Sequence, residues 1–264
     1  MGNTQYDGVE TPAVSMKSAS LPPGFAEVHA PEHLWWIKTG WEQFFPAVFS
    51  SFSSFSATAS IFTPLGGRGV LQRLPLPNGG AAIVRRYHRG GLMRRFTHNI
   101  YWERPFRPLA ELMHTELARQ RHIPTVEVLA AGVERVALGL YRGLFISREA
   151  EGFLNFWEWI RSNPLLEERR TGIEMAAHVI KRLHTTGVYH ADLNLTNILV
   201  ATKSSQPQAL VIDFDRARMF PVSLPAHKRK RNLQRLRRSL NKLDPNAENF
   251  SSADLEIFCR AYQM

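Results

Sequence analysis

The sequence predicts an α+β fold in which a small β-rich lobe is followed by a mainly helical lobe. Up to about residue 150, short apolar segments are bounded by turn residues, which is typical of strands. Beyond that point most apolar residues recur at helical spacing. At 264 residues the chain is long enough to form two lobes. We therefore expect a flexible tail over residues 1–24, the first lobe over 25–150 and the second over 151–264.

The first lobe opens with an aromatic-rich segment over residues 31–62. Core packing is the favoured interpretation, and an apolar face that touches lipid is the alternative. Residues 44–67 carry no charge, but Pro46 and several Ser and Thr residues make this stretch too polar for a membrane-spanning helix. The start of the chain has no basic region followed by an apolar run, so no signal peptide is expected.

Turn signals and apolar segments outline the rest of the first lobe. Pro77-Asn78-Gly79-Gly80 predicts a turn that leads into a strand over Ala81–Tyr87. Apolar residues at helical spacing then predict a helix over Arg107–His122. Three more strands are predicted at Val126–Ala131, Val133–Leu138 and Leu140–Ser147, before a connector over Glu149–Gly152.

Helices dominate the prediction for the second lobe. A short helix is expected over Asn155–Ile160, and a longer one over Glu167–Thr186, with Gly187 as its stop. Two short strands follow, joined by a polar loop over Lys203–Gln208. The segment Lys228–Leu243 predicts a basic amphipathic helix, because four leucines form one stripe and eight Lys or Arg occupy the other faces.

The chemistry is concentrated in residues 190–197 (HADLNLTN) and 210–215 (LVIDFD). An H-x-D-x(4)-N pattern, followed by an apolar strand that ends in D-F, is the signature of the kinase catalytic loop and metal loop. Phosphoryl transfer needs a carboxylate to orient and deprotonate the attacking hydroxyl, plus oxygen ligands that hold Mg²⁺ on the phosphates. The sequence therefore predicts a bilobal protein-kinase-like fold with ATP in the cleft between the lobes.

Each polar residue of the catalytic loop and the metal loop is given a role. Asp192 is the candidate general base, and Asn197 and Asp213 are the candidate Mg²⁺ ligands. Two protein ligands suffice because Mg²⁺ keeps waters and substrate phosphates in its coordination shell. His190 is expected to be a supporting residue that ties the two loops together.

Two supporting positions depart from the usual kinase pattern. Asn194 stands where protein kinases usually place a lysine that touches the transferred phosphate, so this contact is lost or is made by another group. Asp215 stands where many kinases have glycine. It is either a further metal or network ligand or a residue that stabilises the loop.

The nucleotide-gripping residues are less clearly marked. The strand that should supply a lysine has none, so Arg85 is the natural replacement, with Glu111 as its helix partner and Glu116 as second choice. Gly67 and Gly69 lie in a Gly-rich turn that could cover the phosphates through backbone N–H groups. Alternatively, Arg85 and the two glutamates are solvated surface charges, and the glycines belong to an ordinary hairpin.

The formal net charge of +10 favours anionic partners. Arg229, Arg235 and Arg238 of the basic helix are candidate contacts for the substrate or for anionic lipid head groups. A solvated face and a nucleic-acid patch are the alternatives for this helix. Cys259 is the single cysteine, which excludes an intramolecular disulfide.

With these residues identified, the chain resembles the 3-deoxy-D-manno-octulosonic acid (Kdo) kinases, relatives of the lipopolysaccharide core heptose kinases. The combination of YHADLN with IDFD is far more specific than a general kinase loop. Leu195-Thr196 replaces the small residue and histidine expected between the two asparagines, and the tail through about residue 30 is longer than the family needs. The resemblance is carried by Arg85–Leu92, Gly187–Asn194, Asn197–Leu199, Ile212–Arg218 and Asn232–Lys242.

The resemblance implies ATP- and Mg²⁺-dependent phosphorylation of a Kdo hydroxyl, expected at position 4, on Kdo-lipid A. It implies a peripheral protein at the cytoplasmic face of a Gram-negative inner membrane, with no nucleic-acid partner; the oligomeric state stays open. A kinase of core heptose, of an aminoglycoside or of another small molecule is the alternative. A catalytically silent kinase-like protein that binds membrane or nucleic acid is the alternative of another class. A protein kinase is disfavoured because no Ala-Pro-Glu segment follows Asp213.

Overall fold

The computed structural model describes residues 20–52, 60–62, 71–87, 101–102, 106–201 and 208–263. Within these residues the first lobe is built on an antiparallel sheet of eight strands. Their order is β1-β2-β7-β8-β5-β4-β3, and β6 pairs with the start of β8. The strands are β1 (Phe25–His29), β2 (His33–Lys38), β3 (Ser60–Phe62), β4 (Leu71–Pro75), β5 (Ala81–Arg86), β6 (Tyr101–Trp102), β7 (Val128–Ala137) and β8 (Leu140–Arg148).

Aromatic residues cover both faces of this sheet. Strand alternation sends Trp35 to one face and its neighbour Trp36 to the other. A short helix α1 (Phe44–Val48) and the residues after it cover the first face, and helix α2 (Arg107–Gln120) covers the second. Each fully buried aromatic side chain contributes on the order of 2–3 kcal/mol. The core-packing interpretation of the aromatic segment is therefore confirmed for the described residues, which exclude Phe55 and the side chain of Phe62.

The second lobe is mainly helical, as predicted. A helical core packs against a small sheet of β9, β11 and β12, whose central strand is β11. A second pair, β10 and β13, brackets the chain on either side of the catalytic segments. The elements are β9 (Phe153–Asn155), α3 (Phe156–Arg161), α4 (Leu166–Thr185), β10 (Val188–Tyr189), β11 (Ile198–Ala201), β12 (Ala209–Val211), β13 (Arg218–Met219), α5 (Ala226–Leu243) and α6 (Ser252–Tyr262).

Two predicted boundaries were wrong. The segments Val126–Ala131 and Val133–Leu138 are not separate strands, because β7 runs through Gly132 and stays paired with β8. That glycine marks a close approach rather than a break, since a Cβ there would lie 2.6 Å from the Trp35 ring. Helix α2 ends at Gln120 rather than at His122, which has a positive φ of 57°. None of the described helices is long and apolar enough to cross a membrane.

Candidate active site

The catalytic loop lies between β10 and β11 and is shaped by asparagine side chains. A 3₁₀ turn over Leu195–Asn197 ends the loop, and the Asn194 Oδ1 accepts from the backbone N–H groups of Thr196 (2.9 Å) and Asn197 (3.0 Å). The Asn194 Nδ2 donates to the Asp192 carbonyl oxygen at 3.1 Å. Asn194 therefore caps the turn and holds the loop backbone.

Asp192 sits at the open side of this loop. Its backbone carbonyl oxygen accepts from the side chains of Asn194 and Asn197, the latter at 2.9 Å. Its carboxylate is exposed. The backbone is thus fixed by two amides while the carboxylate faces solvent, which is the arrangement a general base for an external hydroxyl requires.

Strand pairing brings Asn197 and Asp213 together. The Ile212 backbone N–H donates to the Asn197 carbonyl oxygen at 3.0 Å. Asp213 is the next residue in the chain, so it lies close to Asn197. Asp213 has a left-handed backbone with φ of 68°, which aspartate tolerates better than most residues. Strand β12 ends at Val211, and the Asp213 conformation then turns the chain into the metal loop.

The donors at this point fit a hard cation such as Mg²⁺. The Asn197 Nδ2 is bonded to the Asp192 carbonyl, which leaves its amide oxygen as the free ligand atom. The Asp213 Oδ1 accepts from Arg85, and the Asp215 backbone N–H also bonds this carboxylate, whose two oxygens have lone pairs to spare for a cation. Among the described residues no group of three or more His, Cys, Asp or Glu could hold a metal ion. A cation here would therefore need water and phosphate oxygens to complete its shell, as Mg²⁺ normally does.

Arg85 on β5 joins the first lobe to the metal loop. Its Nη1 donates to Asp213 at 3.1 Å, and its Nη2 donates to Glu111 of α2. The guanidinium lies over the rings of Tyr87 (5.1 Å) and Phe145 (5.6 Å). Arg85 and Glu111 are thus brought together, in line with the first choice of partner.

Glu116, the second choice, contacts Arg119 at 3.5 Å instead. It lies on the same helix as Glu111 but five positions further along the chain. The two glutamates therefore point to different sides of α2, because a helix turns by about 100° per residue. Only Glu111 meets β5.

Burial and charge act in opposite directions on these carboxyls. Glu111 is 1 % exposed, and burial raises its pKa to about 8 although Arg85 opposes the shift. Burial would also raise the pKa of Asp213, but Arg85 and His190 outweigh it and lower that pKa. The Arg85 guanidinium stays charged, so titration in this cluster belongs to the carboxyls.

A second arginine makes a parallel contact one turn away. Arg107, the first residue of α2, donates to Asp215 through Nε (3.1 Å) and Nη2, and its guanidinium lies over the rings of Tyr87 and Tyr101. Asp215 is thus occupied by an ion pair between the lobes, which matches the loop-stabilising interpretation of this residue. Both aspartates of the metal loop are held by arginines of the first lobe.

His190 connects the catalytic loop to the metal loop. It is fully buried, and its Nε2 donates to the Ile212 carbonyl oxygen at 3.0 Å. Its ring packs edge-on against Phe214 with centroids 5.2 Å apart. Burial lowers the pKa of His190, so the ring is neutral at neutral pH. This is the geometry expected of a supporting residue.

The basic helix α5 docks by its leucine stripe. Leu236 is buried, and Leu233, Leu240 and Leu243 pack partly buried against the same core. The three candidate contact residues differ in exposure: Arg229 and Arg235 are half-buried and Arg238 is exposed. Gly67 and Gly69 lie outside the described residues.

Neither Arg107 nor Asn232 was assigned a role from the sequence. Asn232, on the inner side of α5, is fully buried and bonds the backbone of His190. Its signal was a neutral amide inside a run of cations, on the same side of the helix as the leucines. That signal marks an inward position but not its partner.

Fold and site together define a kinase-like phosphotransferase. A family model described as "Lipopolysaccharide kinase (Kdo/WaaP) family" matches residues 59–262. The chain belongs to this family.

Curated relatives carry the name 3-deoxy-D-manno-octulosonic acid kinase. The relative from Stenotrophomonas maltophilia (strain R551-3) is 35 % identical over 182 residues, covering 67 % of this chain and 68 % of the relative. The relative from Xanthomonas oryzae pv. oryzae (strain PXO99A) is 32 % identical over 224 residues, covering 79 % and 85 %. A solved structure described as "WaaP in complex with acyl carrier protein" matches with a TM-score of 0.50 at 17 % identity, covering 77 % and 78 %. That likeness supports the predicted α+β, kinase-like fold.

Proposed function

We propose that this protein transfers the γ-phosphate of ATP to a hydroxyl of Kdo on Kdo-lipid A, at position 4 of the sugar. The observation that carries the proposal is the convergence of Asp192, Asn197 and Asp213 in a member of a lipopolysaccharide kinase family. Relatives that match most of this chain are named Kdo kinases, which favours Kdo over core heptose as the acceptor. The heptosylated core is the alternative acceptor.

The acceptor hydroxyl is handled by the catalytic loop. Asp192 accepts a hydrogen bond from the hydroxyl and orients its oxygen toward the γ-phosphorus. As the new P–O bond forms, the bond to the ADP oxygen breaks and the proton passes to the Asp192 carboxylate. Overall, ATP and the sugar hydroxyl give the phosphate ester, ADP and one proton, which later leaves Asp192 for solvent.

The phosphates are handled from the other side of the cleft. Arg85 grips them with its guanidinium and is oriented by Glu111. Asn197 and Asp213 would hold Mg²⁺, and the cation would supply positive charge that neutralises the charge developing on the transferred group. Because Arg85 also bonds Asp213, nucleotide binding draws its Nη1 from the aspartate to phosphate.

The acceptor is reached at an anionic surface. A net charge of +10 draws the protein to the cytoplasmic face of the inner membrane, where it binds peripherally. Arg231, Arg237 and Arg238 are exposed on α5 and meet the head groups. Arg235 is half-buried and near enough to His190 for its charge to lower the pKa of that residue, and we expect it to contact the acceptor.

Phosphate transfer from labelled ATP to purified Kdo-lipid A tests the proposal. We expect Mg²⁺-dependent transfer by the wild-type protein, none to lipid A lacking Kdo, and a fall of about 10²–10⁴-fold for Asp192→Asn. Exposed Glu256 of α6 provides the matched control, and Glu256→Gln should transfer normally. Transfer to a heptosylated core but not to Kdo-lipid A would move the acceptor. No transfer to either would sink the proposal.

A vesicle-binding assay tests the membrane contact. Vesicles with anionic phospholipid should bind the wild-type protein, and the triple variant R231E/R237E/R238E should bind far more weakly, with the difference shrinking as salt rises. Neutral phosphatidylcholine vesicles are the control. Equal binding of both proteins would show that α5 does not contact the membrane. Competition by acyl carrier protein would show that this surface binds a protein partner instead.

A further inference from the structure

Asn232 is a fully buried amide in a helix otherwise rich in cations. Its Nδ2 donates to the His190 carbonyl oxygen at 2.8 Å, and its Oδ1 accepts from the His190 backbone N–H at 3.2 Å. One side chain therefore satisfies both backbone groups of a residue two positions before Asp192. A polar group buried without partners is costly, so this pairing is strongly favoured over an alternative loop position.

The orientation of the Asn232 amide is fixed by its partners. A backbone N–H can only donate and a backbone carbonyl can only accept, so Oδ1 must face the N–H of His190 and Nδ2 its carbonyl. A flipped amide would place donor against donor and acceptor against acceptor. The catalytic loop and the amide therefore lock each other.

The lock extends to the last described helix. The Asn232 Oδ1 lies 3.2 Å from His184 Nε2, so this nitrogen must carry the proton and donate. His184 Nδ1 is then an acceptor, and the Tyr262 hydroxyl donates to it at 2.6 Å. Burial lowers the pKa of His184 to about 4, so the ring keeps one neutral tautomer across the neutral pH range.

Helix α5 holds the far side of the loop as well. The Leu195 backbone N–H donates to the Ser239 Oγ at 3.3 Å. Asn232 and Ser239 therefore grip the loop before and after Asp192 from a single helix. Within the part of the chain that the structure describes, the exposed carboxylate of Asp192 makes no such contact of its own and depends on the backbone that carries it.

We propose that Asn232 is a positioning residue for Asp192, and that Tyr262 and His184 fix its orientation. This inference rests on the proposed kinase function. A displacement of about 1 Å at a reacting group can cost about 100-fold in rate. The hydrogen bonds that join the loop backbone, Asn232, His184 and Tyr262, which we call the clamp, hold the catalytic loop at this accuracy. Asn232 acts on the chemical step rather than on ATP affinity, because the backbone that it bonds belongs to the catalytic loop and not to the nucleotide-binding side.

The first experiment compares Asn232→Ala with Asn241→Ala, an exposed asparagine on the same helix. Two activities are measured for each variant: phosphate transfer to Kdo-lipid A, and the slow hydrolysis of ATP by water. Both reactions use Asp192. We expect kcat of N232A to fall about 100-fold in each assay with an unchanged KM for ATP, and N241A to match wild type. A folded N232A with kcat within about twofold of wild type would overturn the inference and leave the proposed function standing.

If N232A does not fold, Tyr262→Phe decides the question from the far end of the chain of hydrogen bonds. Loss of one net hydrogen bond predicts a fall in kcat of about 2- to 10-fold with KM for ATP unchanged, and an unchanged kcat overturns the inference. If wild type hydrolyses ATP in a way that depends on Asn232 but does not transfer phosphate to Kdo-lipid A, the proposed acceptor is wrong and the clamp is supported. In ¹⁵N NMR spectra, His184 should carry its proton on Nε2 from pH 5 to 8, and a proton on Nδ1 would contradict the assigned direction.

Discussion

The two sides of the cleft are built from different chemistry. The side formed by the first lobe is charged: Arg85 and Arg107 pair with Glu111 and with the two aspartates of the metal loop. The catalytic loop is held by neutral groups, namely the side chains of Asn194, Asn197, Asn232 and His190. Ion pairs can exchange partners when a polyanion binds, whereas paired neutral amides keep one geometry.

This difference matches the two tasks of a kinase. Triphosphate and cation arrive with their own charges, so the residues that receive them must trade one charged partner for another. The acceptor hydroxyl is neutral, and the rate of its attack depends more on where its oxygen is held than on the electric field around it. We therefore expect variants of the charged side to change nucleotide handling and pH response. Variants of the neutral side, apart from the proposed cation ligand Asn197, should change kcat alone.

After Asp192→Asn, Asp213→Asn should have the largest effect, because Asp213 stands where the two sides meet. The change replaces the carboxylate of the proposed cation ligand with a neutral amide and removes the charged partner of Arg85. We expect transfer to fall about 10²–10³-fold and the Mg²⁺ concentration for half-maximal rate to rise. A Mg²⁺ titration at saturating ATP measures both, and a wild-type Mg²⁺ dependence in the variant would contradict the assignment.

Arg85→Lys should have the next largest effect. A lysine keeps the charge but loses the planar fork that reaches Glu111 and Asp213 together. Loss of one charge-assisted hydrogen bond predicts a fall in kcat/KM for ATP of about 10- to 100-fold. Arg142→Lys, which alters an arginine paired with Glu134 on the same sheet, is the control and should leave that value unchanged.

Gly187→Ala tests the neutral side through its backbone. Gly187 has a φ of 78°, and a Cβ there would lie 2.2 Å from the Val222 carbonyl oxygen. The strained backbone alone should lower the free energy of unfolding by about 1–3 kcal/mol, with the clash adding to it. Chemical denaturation measures the loss. Gly152→Ala, also at positive φ but in open space, should cost less, and equal losses would show that the contact is unimportant.

Glu111→Gln should give the smallest change, and it should be seen mainly in how stability depends on pH. Because the pKa of Glu111 is raised to about 8 in the folded protein, its contribution to stability is full below the unfolded pKa near 4.5 and is lost as pH rises toward 8. The free energy of unfolding of wild type should therefore fall between about pH 5 and 8 more steeply than that of E111Q. Parallel pH profiles would show that Glu111 does not titrate in this range.

Much of the second lobe could be predicted because local pattern and tertiary structure agree there. The leucine stripe of α5 packs inward as its spacing indicates, and Gly187 follows the end of α4. The motif residues Asp192, Asn197 and Asp213 lie on the predicted loop and strand ends. These features depend on short-range spacing, which a sequence displays directly.

What escaped prediction depends on contacts between distant parts of the chain. The continuity of β7 through Gly132 is set by the Trp35 ring, about a hundred residues earlier. Strand β9 was missed because three residues carry no periodic signal without their partner β11. The clamp by Asn232 joins positions 42 residues apart, and nothing in the local spacing of either segment indicates the other.

The most direct test of the division between the two sides is a paired measurement on Asp192→Asn and Arg85→Ala. For each variant, the dissociation constant for ATP with Mg²⁺ is measured by calorimetry, and single-turnover transfer to Kdo-lipid A is measured at saturating ATP. The account predicts that D192N binds ATP as wild type does but transfers about 10²–10⁴-fold more slowly, whereas R85A binds ATP at least about tenfold more weakly. Weak ATP binding by D192N, or unchanged ATP binding by R85A, would contradict it.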